Sequence, residues 1–310
     1  MMPIALKTFA AAALATLAAA LPAAPANAPQ ILTDDVALFY KVYEAAAGHP
    51  TAEQLDRDYL AAGSEGLHRF AKLRNLTGAR IVETIDKHPQ TYEDARRCMA
   101  VLPRVKQRLS GAFAELARRY PEAKFAPVTL LVGRGRPVGI TDATGISIGL
   151  EAMCAANFMN PNLENRFVYN IAHELGHIQQ PAELQLLNPG DPGATVLMLS
   201  LIEGAAEFNA ELIAGEIGQS QLKAWTKGRE AEIEAAFLGD KDKTDLSHWL
   251  YNGPGDAEHP GDLGYWVGYR IVKAYYLHAK DKHQALRDIF TMRDADAFLA
   301  NSGWHPAAAR

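Results

Sequence analysis

The sequence predicts an α+β fold that is mostly α. Three observations carry that expectation. Apolar residues recur at helical spacing through most of residues 51–119, and again from about residue 162. Between these stretches, residues 124–150 are β-branched, apolar and punctuated by glycine, the pattern of a small sheet. The chain has 310 residues, 48% of them hydrophobic, which is enough for one large domain or two small ones.

Residues 1–28, "MMPIALKTFAAAALATLAAALPAAPANA", read as a secretory signal peptide. Lys7 supplies the positive start, and residues 8–21 form an apolar stretch shorter than the ~20 residues a membrane span needs. Small-residue patterns at Ala24-Pro25-Ala26 and Ala26-Asn27-Ala28 place cleavage within 24–28, and Pro29 disfavours it directly after Ala28. The mature chain is therefore expected to be periplasmic or secreted, with no stable membrane span. In an oxidising compartment Cys98 and Cys154 are able to pair, or to remain two buried thiols; spacing alone leaves both open. Neither lies in a C-x-x-C pair.

Residues 29–120 are expected to form a helical N-terminal region. Thr51-Ala-Glu-Gln54 has capping-box spacing and opens a helix toward Leu60. Ser64 is a candidate cap for a helix through Leu73, and Thr91 for a longer run to about Arg119 that is kinked at Pro103. Leu102, Val105, Leu109, Phe113 and Leu116 give that run a buried face. Next come an apolar strand in "FAPVTLLVG", a turn in "GRGRPVG" and a second strand in "TGISIGLE", expected to make a small antiparallel or mixed sheet, largely antiparallel. The helical pattern then resumes, broken only by residues 238–262. That stretch is rich in Gly, Pro and Asp and is long enough to carry function.

The net charge of −5 and the scattered 31 Lys+Arg argue against a nucleic-acid surface. Chemistry concentrates instead in "NIAHELGHIQQ". On a helix, His173 and His177 share one face and aim two imidazoles at one point. Catalytic Zn²⁺ takes three protein ligands and leaves a position for water. Glu174, about 100° round the helix from His173, is placed to act as general base on that water. Gly176 weakens the helix interior, which implies close approach by another element. Downstream, Glu203 and Glu207 lie one turn apart in the apolar run "LMLSLIEGAAEFNAELIAGE". Buried carboxylates need partners, so Glu203 is assigned as third ligand and Glu207 as a hydrogen-bond partner of a ligand histidine.

His173-Glu174-x-x-His177, followed by Glu203-Gly204-x-Ala206, resembles the glutamate-zincin metallopeptidases, the class containing thermolysin and the zinc aminopeptidases. Ile202-Glu203-Gly204-Ala205-Ala206 is similar to the aminopeptidase ligand motif Asn-Glu-Gly-Phe-Ala. Glu207 stands where thermolysin-like enzymes carry an aspartate that orients a histidine. Residues 125–290 resemble more closely a bacterial family of predicted zinc-dependent proteases, with "LGYWVGYRIVKAY", residues 263–275, as the late hallmark. The resemblance implies a zincin-like metallopeptidase domain over residues 121–310, a Zn²⁺ cofactor and a peptide or protein substrate. Tyr265-Trp-Val-Gly268 is similar to the aminopeptidase motif Tyr-x-Lys-Gly without its lysine, which implies Tyr265 as donor to the oxyanion, with Tyr269, His248 and His259 as alternatives. Asp262 is a candidate cap for that helix, and Gly264 and Gly268 allow close helix packing. The amine-binding motif Gly-x-Met-Glu-Asn is absent; Glu151 stands alone in "GISIGLEAM", so endo- and exopeptidase action are both open. The alternative reading is a zinc-binding periplasmic protein that acts in envelope assembly or metal handling without proteolysis.

Overall fold

A computed structural model describes residues 29–135, 139–156, 159–215, 218, 220–253 and 255–307. The signal-peptide reading of residues 1–28 lies outside the described residues. The observed fold is mostly helical with a small sheet, as expected, and that sheet has four strands.

Strand β1 (Ile31–Leu32) leads into helix α1 (Asp34–Ala45), whose Val36, Phe39, Tyr40 and Tyr43 make one buried stripe at helical spacing. Helix α2 (Ala52–Leu55) opens on the Thr51/Gln54 capping box and runs on through a wider turn to Leu60. Helix α3 (Glu65–Arg74) is capped by Ser64, and α4 (Gly78–Lys87) by Thr77. The run expected from Thr91 to Arg119 is two helices, α5 (Pro89–Cys98) and α6 (Leu102–Arg119), separated by a tighter turn at 99–101. Each carries proline in its first turn, where the missing N–H is not needed. Pro103 thus starts a helix and does not kink one.

Strands β2 (Val128–Leu131), β3 (Gly139–Asp142) and β4 (Gly145–Gly149) complete a sheet of order β1-β2-β4-β3. β1 and β4 both pair parallel with β2, and only β3 and β4 are antiparallel. The sheet is therefore mixed, not largely antiparallel. β2 and β4 are buried along their whole length. β3 begins at the last residue of the stretch read as a turn, and it is an edge strand. Two phenols from the N-terminal helices fasten the end of β2. Tyr59 donates to the Val132 carbonyl and accepts from the Val132 N–H, and Tyr92 donates to the Gly133 carbonyl.

The rest is helical: α7 (Leu150–Ala155), α8 (Leu163–Gln179), α9 (Ala182–Gln185), α10 (Val196–Ala214), α11 (Ser220–Trp225), α12 (Glu230–Asp240), α13 (Leu263–His278), α14 (Lys282–Thr291) and α15 (Ala295–Asn301). Cys98 of α5 and Cys154 of α7 form a disulfide. Among the described residues no helix is long and apolar enough to cross a membrane. Helix α10 is apolar nearly all round and packs between α8 and α13. Glycines set both contacts. A Cβ on Gly176 of α8 would lie 2.7 Å from the Cα of Ala206, and one on Gly268 of α13 would lie 1.7 Å from the Ser200 carbonyl oxygen. These approaches bring the faces bearing His173, Glu203 and Tyr265 together.

Candidate metal centre and active site

Helix α8 is capped by Asn162, which accepts from the Asn165 N–H, and its second half carries His173, Glu174 and His177. Helix α10 is capped by Thr195 and carries Glu203 and Glu207 on the face toward α8. His173 Nε2 and His177 Nε2 lie 3.2 Å apart, and Glu203 Oε2 is 3.4 Å from the first and 3.3 Å from the second. Three ligand atoms at the corners of a nearly equilateral triangle face one point. A tetrahedral ion with bonds of ~2.0–2.1 Å holds its ligands ~3.3 Å apart, so these residues fit zinc without rearrangement.

The ring nitrogens away from that point are engaged, which leaves Nε2 of each ring facing inward. His177 Nδ1 lies 3.0 Å from Gln180 Oε1, and Gln180 in turn donates to the Ile202 carbonyl on α10. His173 Nδ1 lies 3.2 Å from the Tyr169 hydroxyl, which donates to Glu207 Oε1, itself 3.5 Å from Nδ1. Glu207 thus reaches His173 with Tyr169 beside the contact. Tyr169 and Gln180 were not expected from the sequence. The signal for Tyr169 was available, since it sits one helical turn before His173 on the same face of α8, whereas Gln180 lies just past the end of that helix in extended backbone.

The centre demands positive charge. Glu203 and Glu207 are 8% and 5% exposed, so neither is solvated. Burial pushes the His173 imidazolium toward losing its proton, but hydrogen bonds to Glu203 and Glu207 outweigh it and its pKa is raised well above the ordinary value. His177 is likewise raised, burial opposing and Glu203 prevailing. Burial works against the Glu203 carboxylate, yet the two histidines hold its pKa well below the usual range. Buried carboxylates that pull protons onto imidazoles are equally satisfied by a metal cation among the same atoms.

The centre floors a cleft of about 440 Å³ lined by Arg74, Thr141, Glu174, Leu187, Tyr251 and Tyr265, among others. Glu174 projects toward the sheet, where the Thr141 hydroxyl of edge strand β3 donates to its Oε2. Tyr265 stacks beside His173, ring centroids 6.3 Å apart. Burial and then the Glu203 charge raise its pKa well above the ordinary value, so the phenol stays a donor. The other donors considered lie elsewhere. Tyr269 turns away to donate to Glu211, in a neighbouring cavity of about 440 Å³ that shares Tyr265 as a wall. His248 and His259 are exposed and do not line the cleft. Glu151 is buried behind the end of β2, accepting from the Gly135 N–H, and plays no part in the cleft wall. Asp262 stands at the start of α13 without capping it; its side chain accepts from the Asn252 N–H across the loop.

One tyrosine not singled out in the sequence enters the site. Tyr251, from the loop spanning 241–262, donates to Glu203 Oε1 at 3.1 Å. No periodicity marks a loop residue, so nothing in the sequence pointed to it.

No curated protein and no solved structure matches the chain. Residues 129–299, more than half of the chain, match the family model described as predicted Zn-dependent protease (DUF2268), and the chain belongs to that family.

Proposed function

We propose that this protein is an exported zinc peptidase of the glutamate-zincin type, with zinc held by His173, His177 and Glu203. The observation that carries this reading is the triangle of ligand atoms with edges of 3.2–3.4 Å beside a cleft-lining glutamate. Zinc, when bound, supplies Lewis acidity that acidifies water and polarises a carbonyl oxygen. Glu174 then has one task in two strokes: it takes a proton from the attacking water and returns it to the leaving amine. Thr141 orients the Glu174 carboxylate by donating to one oxygen. Tyr265, a phenol held protonated, donates to the oxyanion that develops on the substrate carbonyl. β3 ends the sheet and lies along the cleft, where its backbone is available to pair with an extended peptide. The signal-like residues 1–28 and the Cys98–Cys154 disulfide support a periplasmic or secreted location, since disulfides persist in oxidising compartments.

Glu174→Gln is the test. The amide copies the shape and still accepts from Thr141, but it is not a base. Zinc content and thermal unfolding are expected to match wild type while peptide turnover falls by about two to four orders of magnitude, the usual worth of a general base. Wild-type turnover by this variant would remove Glu174 from the reaction.

A further inference from the structure

The two oxygens of Glu203 face different partners. Oε2 faces both imidazoles, while Oε1 accepts from the Tyr251 hydroxyl at 3.1 Å. A carboxylate with its second oxygen free can tilt to offer both atoms to a cation. A donor held against Oε1 opposes that tilt.

Tyr251 is held where it stands at a backbone cost. Its φ is 59°, in the left-handed region that bulky residues avoid, and Asp262 across the loop has φ 52°. The neighbouring residues clasp this stem. Asp262 Oδ1 accepts from the Asn252 N–H at 3.2 Å, and Asn252 Oδ1 accepts from the Asp262 N–H at 2.7 Å. Asn252 Nδ2 also donates to the Ser247 carbonyl, and the Gly264 N–H to the Trp249 carbonyl. The Tyr251 ring packs edge-on against Tyr265 with centroids 6.3 Å apart.

We propose that Tyr251 is a positioning residue that restricts Glu203 to one metal-binding oxygen, and that the clasped stem of the 241–262 loop holds the phenol in place for it. The proposal rests on the assignment of His173, His177 and Glu203 as the metal-binding set. It gives the loop a job beyond connection: Tyr251 fixes how Glu203 meets the ion, so the loop tunes the affinity and coordination number of the centre.

The test replaces Tyr251 by Phe, which keeps the ring and removes the hydroxyl. Zinc affinity is measured by chelator competition, and the visible spectrum is recorded after loading with Co²⁺. Zinc affinity is expected to fall by about 10–100-fold, the usual loss when a ligand's orienting partner goes. The Co²⁺ bands are expected to weaken, because a second Glu203 oxygen on the ion raises its coordination number and higher-coordinate cobalt absorbs less. Thermal unfolding of the metal-free variant is expected to match that of the metal-free wild type. Asn252→Ala cuts the clasp but keeps the phenol, and its Co²⁺ spectrum is expected to shift the same way by less. Unchanged zinc affinity with superimposable Co²⁺ spectra for Tyr251→Phe would overturn the proposal. So would a fall in affinity that tracks a loss of metal-free stability while the spectrum stays the same. A Co²⁺ spectrum of Asn252→Ala identical to wild type would overturn the role of the stem. If the wild-type protein binds neither metal, or if Glu203→Ala keeps full affinity, the failure lies in the ligand assignment itself.

Discussion

His177→Ala is expected to empty the metal centre. Purified wild-type protein should carry about one zinc per chain, and the variant less than about a fifth of that, because His173 and Glu203 alone make a two-ligand site where catalytic zinc uses three. Glu203→Ala should do the same, since it removes the carboxylate oxygen 3.3–3.4 Å from both imidazole nitrogens. Glu207→Ala should be milder, a loss of about 10–100-fold in affinity, because Glu207 touches only the outward nitrogen of His173 and shares that contact with Tyr169. Elemental analysis and chelator competition read all three variants. Full zinc occupancy in His177→Ala would sink the ligand set. A larger loss from Glu207→Ala than from Glu203→Ala would move the ligand one turn along α10.

The second large effect is on stability. In Gly268→Ala the added methyl would sit 1.7 Å from the Ser200 carbonyl oxygen and 2.5 Å from its carbon, both backbone atoms on α10. The two helices have to separate, and overpacking of this kind costs about 1–3 kcal/mol or more. We expect the upper end, a fall in Tm of roughly 5–10 °C, together with weaker zinc binding, because α10 carries Glu203. Gly111→Ala is the matched control. Gly111 is an exposed residue in the interior of α6 with nothing within 4 Å of the new methyl, so the same substitution should stabilise by up to ~1 kcal/mol. Equal effects from the two substitutions would show that the α10–α13 contact is looser than these distances imply.

The parts of the site that lie on single helices were legible in the sequence. His173, Glu174 and His177 are related by the helix repeat alone, and Glu203 stood out as a carboxylate in an apolar run. The Gly176 and Gly268 approaches were legible too, because glycine inside a helix is disfavoured unless something fills the space. What was not legible depends on pairing across the chain. β1 is two residues long and pairs with a strand nearly a hundred residues later, so no local pattern announces it. The parallel pairing of β2 with β4 follows from the chain's return through β3, which pairs antiparallel with β4, and alternation within either strand does not announce it. β3 was hidden because its glycine start reads as a turn. Tyr265 and Tyr269 are four apart on one face, and sequence could not separate them. The fold does so by offering Tyr269 the Glu211 carboxylate and leaving Tyr265 over the cleft. Tyr251 needed the loop to fold back onto α10 before it had any meaning.

The most direct test of the central claim is hydrolysis of a peptide library by the mature protein, followed by mass spectrometry, with zinc present, removed and restored. The account predicts cleavage products with zinc, none after chelation, and recovery on adding zinc back to the same sample. A protein that holds one zinc per chain, folds normally and leaves every peptide intact would contradict it.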